Sequence, residues 1–240
     1  MYTQEQIQTV KQAMSQASSI AVLTGAGVSA ESGVPTFRGK DGYWNGLRPE
    51  DLSSPEGFYS NPTMVWEWYN LRRRVLAETQ PNAGHLALAQ MAKAYPQFTL
   101  ITQNVDRLHQ AGGSENVLEL HGNIWDVVCK KCNITHNKYK VEMPSEPRCE
   151  KCGYWTRPAV VWFGESLPEG AMETAAARAH SCDVFLVVGT SAVVYPAAGL
   201  IEVAKGGGAF VVEINIDRTP ATGLCDVSLV GPSAEILPLL

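Results

Sequence analysis

Long apolar runs are missing from this chain: the longest, such as Val184-Phe-Leu-Val-Val188, are strand-sized and far short of the roughly 20 residues that span a bilayer. No membrane partner is expected. Basic charge is scarce as well. Nineteen Lys and Arg stand against 24 Asp and Glu, a net charge of -5 with no broad basic stripe, which argues against direct nucleic-acid binding through phosphate neutralisation. Solenoid periods and low-complexity tracts are absent, which excludes repeat architectures and disordered linkers. The opening residues, Met1-Tyr-Thr-Gln-Glu-Gln-Ile, lack the basic-then-apolar layout of a signal peptide and read instead as a helix start with a Thr3/Gln6 capping box, so a cytoplasmic location is expected. What remains is a 240-residue chain, 45% hydrophobic, large enough for one main core and a small appended module.

Cysteines are few, six in all, and four of them have metal spacing. Cys129-Lys-Lys-Cys132 and Cys149-Glu-Lys-Cys152 form two CxxC pairs separated by sixteen residues. Four thiolates so arranged close a tetrahedron around one zinc ion and leave no open position, so the metal is expected to hold structure rather than perform chemistry. A zinc module for nucleic acid would want a basic recognition helix after the cysteines, whereas Gly153-Tyr-Trp-Thr-Arg157-Pro158 leads back into a strand. Cys182 and Cys225 stand alone beside strand-like segments and read as small core residues.

Strand and helix signals alternate. Ser19–Thr24, Phe98–Ile101, Val117–Leu120, Ala159–Val161, Asp183–Val188 and Ala209–Ile214 are short continuously apolar or β-rich runs suited to central strands of a parallel sheet. Helical patterns lie at 83–94, 168–181 and 196–205. The pattern predicts an α/β fold, a Rossmann-like doubly wound parallel sheet assembled from 1–38, 79–125 and 158–240. Two excursions leave it: a loop and helical insertion at 39–78, and a small structural zinc module at 126–157.

The first strand runs directly into Gly25-Ala26-Gly27-Val-Ser29-Ala30, which satisfies the dinucleotide fingerprint in its Gly/Ala form. Gly25 permits a tight turn, Gly27 lets backbone approach a pyrophosphate, and Ala30 allows close helix packing. Glycine-rich turns after strands also arise for steric reasons alone. A conventional dehydrogenase would show a second strand ending in an acidic residue about twenty positions later, but here lies the Gly/Pro-rich stretch around Asp41 to Asp51. Hydride transfer is disfavoured.

Read onward, Gly25-Ala-Gly-Val-Ser-Ala-Glu-Ser-Gly-Val-Pro-Thr-Phe-Arg-Gly39 resembles the sirtuins, NAD-dependent protein-lysine deacylases. The resemblance recurs in order at Thr102-Gln-Asn-Val-Asp106, Leu120-His-Gly122, the paired CxxC motifs, Phe163-Gly-Glu165, Gly189-Thr-Ser191 and Ile214-Asn215, and covers about residues 18 to 235. It implies NAD as cofactor, one structural Zn2+, and acylated lysine side chains of proteins, bound as extended peptide, as partners. In sirtuins the acyl-lysine oxygen attacks the ribose carbon that bears nicotinamide, and a histidine then acts as general base on a ribose hydroxyl. His121 matches that histidine, and an imidazole can accept a proton at neutral pH.

The resemblance further implies NAD contacts from Gly25, Ala26, Gly27, Ser29, Ala30 and Glu31. Gln103, Asn104, Val105 and Asp106 would surround the nicotinamide and its ribose, where amide and carboxylate groups can hydrogen-bond a carboxamide and hydroxyls. Phe37, Arg38 and Trp44 would cover the nicotinamide end. Gly189, Thr190, Ser191, Asn215, Ile216 and Asp217 would meet the adenosine half, with Ser233 completing it. Val161, Phe163, Gly164, Glu165 and Tyr195 would line the path of the substrate peptide.

Asn61-Pro-Thr-Met-Val-Trp-Glu-Trp-Tyr69-Asn-Leu-Arg72-Arg-Arg-Val-Leu76 departs from a generic member. Asn61 can cap a helix and Pro62 suits its first turn. At helical pitch Val65, Tyr69, Arg72 and Leu76 share one face while Arg74 points roughly opposite. A guanidinium on an apolar stripe is costly unless it snorkels to solvent, pairs with an internal acid, or meets an anionic ligand. Tyr69-x-x-Arg72, with Val34 and Thr36, resembles the class III sirtuins, which remove negatively charged acyl groups such as succinyl, and implies a pair that reads an acidic acyl chain. Three function classes follow: an NAD-dependent deacylase, a protein mono-ADP-ribosyltransferase on the same scaffold, and an NAD-sensing module that would leave His121 without a task.

Overall fold

The structure, a computed structural model, describes residues 2–36, 49–138 and 142–240. Nine strands form two sheets among these residues: β1 (Ser19–Thr24), β2 (Gln97–Thr102), β3 (Leu118–Glu119), β4 (Gly122–Cys129), β5 (Ile134–Asn137), β6 (Arg157–Val160), β7 (Val184–Val188), β8 (Phe210–Asn215) and β9 (Val227–Val230). The larger sheet is entirely parallel in the order β3-β2-β1-β7-β8-β9. Its side chains split by the period of two that a pleated strand imposes. Ile20, Val22, Val184, Leu186, Val188, Val212 and Ile214 pack on one side with Ile7, Val10 and Met14 of the helix Gln4–Gln16. Ala21, Leu23, Phe185, Val187 and Val211 pack on the other with Ala175, Ala179, Leu200 and Ile201 from the helices Ala171–Ser181 and Gly199–Gly206. Coverage on both faces is why these strands read as continuous apolar runs.

The chain winds outward from β1 through β2 to β3, then restarts at β7 beside β1 and runs the other way. The strand order therefore reverses between β1 and β7, and a crevice opens beyond their carboxyl ends. Gly25 and Gly189 follow those two strands and touch there. A Cβ on Gly25 would meet Gly189 O at 2.8 Å, one on Gly27 would meet the same oxygen at 2.7 Å, and Gly189 itself has φ +58°.

Local signals placed several elements correctly. The Thr3/Gln6 capping box is complete, Asn61 caps the helix Pro62–Glu78 through Met64 N–H, and a helix runs Ala83–Ala94. One strand belongs elsewhere: β6, expected in the central parallel sheet, pairs antiparallel with β4 in a second sheet of order β5-β4-β6. Its partner residues in β4 lie far back in the chain, Val128 opposite Arg157 and Gly122 opposite Val160, and a short apolar run carries no local mark of its pairing direction. The helix Pro62–Glu78 packs on this sheet: Val65, Trp66, Tyr69 and Leu76 share a core with Ile124, Trp125, Val127 and Trp162. Trp66 Nε1 donates to Thr156 O at 2.8 Å, and Arg73, fully buried, donates to Ile124 O and Trp125 O at 3.0 and 2.6 Å. Burial lowers the Arg73 pKa to about 10, which still leaves it charged at neutral pH. No helix among the described residues is long and apolar enough to cross a membrane.

Candidate active site

The crevice at the strand reversal is a cavity of about 760 Å³. Three stretches wall it: Gly25, Ala26, Gly27, Ala30 and Glu31 after β1; Gln103, Asn104 and Val105 after β2; Gly189, Thr190 and Ser191 after β7. Asn215 at the end of β8, Ile216 and Asp217 after it, and Ser233 close the far end. His121, Tyr69, Arg72, Val161, Phe163, Gly164, Glu165 and Tyr195 close the near end. Phe37, Arg38 and Trp44 lie outside the described residues. Ser29 and Asp106 do not line this cavity. Both line a smaller one beneath it, where Ser29 Oγ donates to Asp106 Oδ2 at 2.8 Å and Asn104 Nδ2 donates to Ser29 Oγ at 3.1 Å. Burial raises the Asp106 pKa, opposed by hydrogen bonds from Leu108 N–H and Ser29 and by the charge of Arg72.

Side chains that reach across the crevice hold its rim. Gln103 Nε2 donates to Thr190 Oγ1 at 3.0 Å, tying the loop after β2 to the loop after β7. Asn215 Nδ2 donates to Thr190 O at 2.9 Å, and Ser233 Oγ donates to Glu31 Oε2 at 3.0 Å. The glycines of the floor serve loop packing rather than the direct approach to a pyrophosphate expected of Gly27: their N–H groups are taken by Val188 O, Gly189 O and Ile214 O, and a Cβ on any of them would strike the opposite loop.

His121 sits where β3 hands over to β4. Its Nδ1 lies 3.0 Å from Gln103 O, and a carbonyl oxygen only accepts, so Nδ1 carries the hydrogen and Nε2 keeps its lone pair. Burial lowers its pKa below that of an ordinary imidazole, partly opposed by that hydrogen bond. In its neutral form the imidazole can accept a proton at Nε2, and a depressed pKa preserves that form until the pH falls through the lowered value. The acid limb of kcat/KM is therefore expected at an apparent pKa below 6.5; a pH–rate profile with an acid limb above 7 would contradict this protonation state. Gly122 has φ +66°, and a Cβ there would collide with Ala159 O, so the residue after the histidine has to be glycine.

Tyr69 and Arg72 are 0% and 4% exposed, so the guanidinium does not snorkel to solvent. It lies 4.7 Å from the Trp68 ring centroid and 5.5 Å from that of Tyr69, held against two aromatic faces. The Tyr69 hydroxyl accepts from Trp162 Nε1 at 2.8 Å. The sequence pattern missed Trp162, although it sits between two residues assigned to the substrate path. It also missed Arg157, whose guanidinium meets Glu165 at 2.8 and 2.6 Å. Position between Val161 and Phe163 was the available signal for Trp162; nothing local marked Arg157.

The four cysteines of the CxxC pairs converge, with all sulfurs within 4.8 Å of one another and Cys129 Sγ 3.7 Å from Cys152 Sγ. Tetrahedral zinc with bonds of ~2.3 Å needs sulfurs about 3.8 Å apart, so the donor set fits. Purified protein is expected to contain one zinc per chain, and chelation should melt the β5-β4-β6 sheet before the parallel sheet. Metal analysis alongside a two-probe melting curve checks this; fully active, metal-free protein would exclude it.

The Sir2 family model matches residues 25–196. An NAD-dependent protein deacylase of Aquifex aeolicus is 55% identical over 209 residues, covering 87% of each chain. Another, of Pyrococcus furiosus, is 48% identical over 239 residues, covering 96% of this chain and 95% of its own. A crystal structure of a Sir2 homolog–NAD complex superposes with a TM-score of 0.92 at 44% identity, covering 97% of this chain and 91% of that one.

Proposed function

The chain belongs to the Sir2 family and is an NAD-dependent protein deacylase, and we propose that it removes negatively charged acyl groups, succinyl and malonyl, as well as acetyl from lysine. The observation that carries the acyl reading is the placement of Tyr69 and Arg72, three residues apart on one helix, buried, and lining the same cavity as His121. A guanidinium that lines the cavity can grip a carboxylate bidentately, and the phenol can add a hydrogen bond.

NAD, when bound, supplies the ribose carbon from which nicotinamide departs and to which the acyl oxygen adds. In this reading the protein positions and moves protons. The loops that Gly25, Gly27 and Gly189 bring into contact border the diphosphate, Asn215 and Ser233 border the adenosine end, and Gln103 and Asn104 border the nicotinamide end. His121 Nε2 accepts a proton from a ribose hydroxyl, the imidazolium being stabilised by its Nδ1 hydrogen bond to Gln103 O. Val161 and Phe163 border the peptide, and the acyl chain reaches Arg72.

Mass spectrometry of acetyl-, malonyl- and succinyl-lysine peptides incubated with NAD tests the proposal. Free lysine peptide, nicotinamide and acyl-ADP-ribose are expected from all three. ADP-ribose attached to protein would support the transferase reading instead, and turnover of acetyl-lysine alone would end the acidic-acyl reading.

A further inference from the structure

We propose that Trp162 is a specificity-determining positioning residue, which holds the Tyr69 hydroxyl so that its proton is presented to a carboxylate on the acyl chain. The proposal rests on the reading of Tyr69 and Arg72 given above. An indole N–H only donates, so the 2.8 Å contact between Trp162 Nε1 and Tyr69 Oη makes the phenol oxygen the acceptor. The phenol proton is thereby turned away from Trp162. Among the described residues, Ser53 Oγ is the other hydroxyl near it, at a marginal 3.5 Å. A carboxylate beside Arg72 would be the stronger acceptor of that proton.

The indole is itself held on several sides. Trp162 is 2% exposed, and its backbone N–H donates to Glu165 Oε2 at 3.0 Å. Glu165 receives both terminal nitrogens of Arg157, at 2.8 and 2.6 Å, and the same guanidinium lies 3.5 Å from the Trp162 ring centroid. Lys130, within the first CxxC pair, approaches Glu165 at 3.9 Å. Arg157 and Glu165 therefore fix backbone and ring of Trp162 together, and a rotation that released Tyr69 would have to disturb this half-buried ion pair. An acetyl group has no carboxylate to receive the phenol proton. The orientation imposed by Trp162 should consequently favour acidic acyl chains over acetyl.

The test is Trp162→Phe, which deletes the N–H and keeps an aromatic ring, measured with succinyl- and acetyl-lysine peptides alone and in a Tyr69→Phe background. The succinyl-over-acetyl ratio of kcat/KM is expected to fall about 3- to 10-fold, chiefly through the KM for succinyl-lysine, as for one lost neutral hydrogen bond. No further fall is expected once the Tyr69 hydroxyl is gone. Should the phenylalanine variant fail to fold, Trp162→3-benzothienylalanine replaces N–H by sulfur at nearly the same ring volume and is read in the same way. An unchanged ratio, or a fall that persists fully in the Tyr69→Phe background, overturns the role of Trp162 while Tyr69→Phe and Arg72→Met still shift the ratio by themselves. If those two substitutions leave the ratio untouched, the acidic-acyl reading fails and this proposal fails with it.

Discussion

Replacing His121 by alanine is expected to lower deacylation by about 10²- to 10⁴-fold, the usual cost of losing a general base, while NAD binding and folding persist. The asymmetry follows from where the ring is anchored. One hydrogen bond, from Nδ1 to Gln103 O, holds it, so its removal sacrifices little structure. The atom lost to chemistry is Nε2, whose lone pair is free to take a proton in the tautomer that the carbonyl imposes. His121→Asn could still donate to Gln103 O without offering a comparable base, and should be almost as inactive. NAD titration and thermal melting of both variants separate catalysis from binding; near-normal turnover in folded protein would remove His121 from the reaction.

Arg72→Met is expected to cost about 2 to 4 kcal/mol on succinyl-lysine, the range for a desolvated charge pair deprived of one member. Methionine retains length and apolar character, so the stripe formed by Val65, Tyr69 and Leu76 should repack with little change. Acetyl-lysine brings no carboxylate and should turn over at a similar or higher rate. Tyr69→Phe deletes one hydrogen bond to a charged acyl group, about 1.5 to 3 kcal/mol, and should cost less. Steady-state kinetics on the two peptides decides the matter. Equal losses on both would mean that Tyr69 and Arg72 support the helix rather than read the acyl chain.

What could be read from the sequence was whatever has a local cause. The runs that became β1, β7 and β8 announce themselves because both faces are covered, and Asn61 and Thr3 mark helix starts by side-chain chemistry confined to one turn. The second sheet was less legible because it depends on distant pairings. Gly122-Asn-Ile-Trp-Asp-Val-Val-Cys129 forms its central strand only by meeting residues from 134 onward on one side and from 157 onward on the other. The same cause hid Arg73. Helical pitch placed Arg72 on the buried face and Arg74 opposite, but Arg73 is buried against β4, whose carbonyls it satisfies. Motif resemblance gathered most of the cavity lining. It could not show that Asp106 turns below the floor toward Ser29, or that Tyr69 is held by Trp162.

His121 is fastened to both sheets at once. Its ring nitrogen is bound to Gln103, on the loop after β2 of the parallel sheet, and its carbonyl accepts Val161 N–H at 2.9 Å from the residue that follows β6. Any separation of Gln103 from Val161 would have to break one of these bonds or swing the imidazole. In the reaction proposed above, the residue that takes the proton is thus also the one that ties the loop after β2 to the end of β6. Its glycine neighbour, pressed on Ala159, leaves that joint no room for a bulkier hinge.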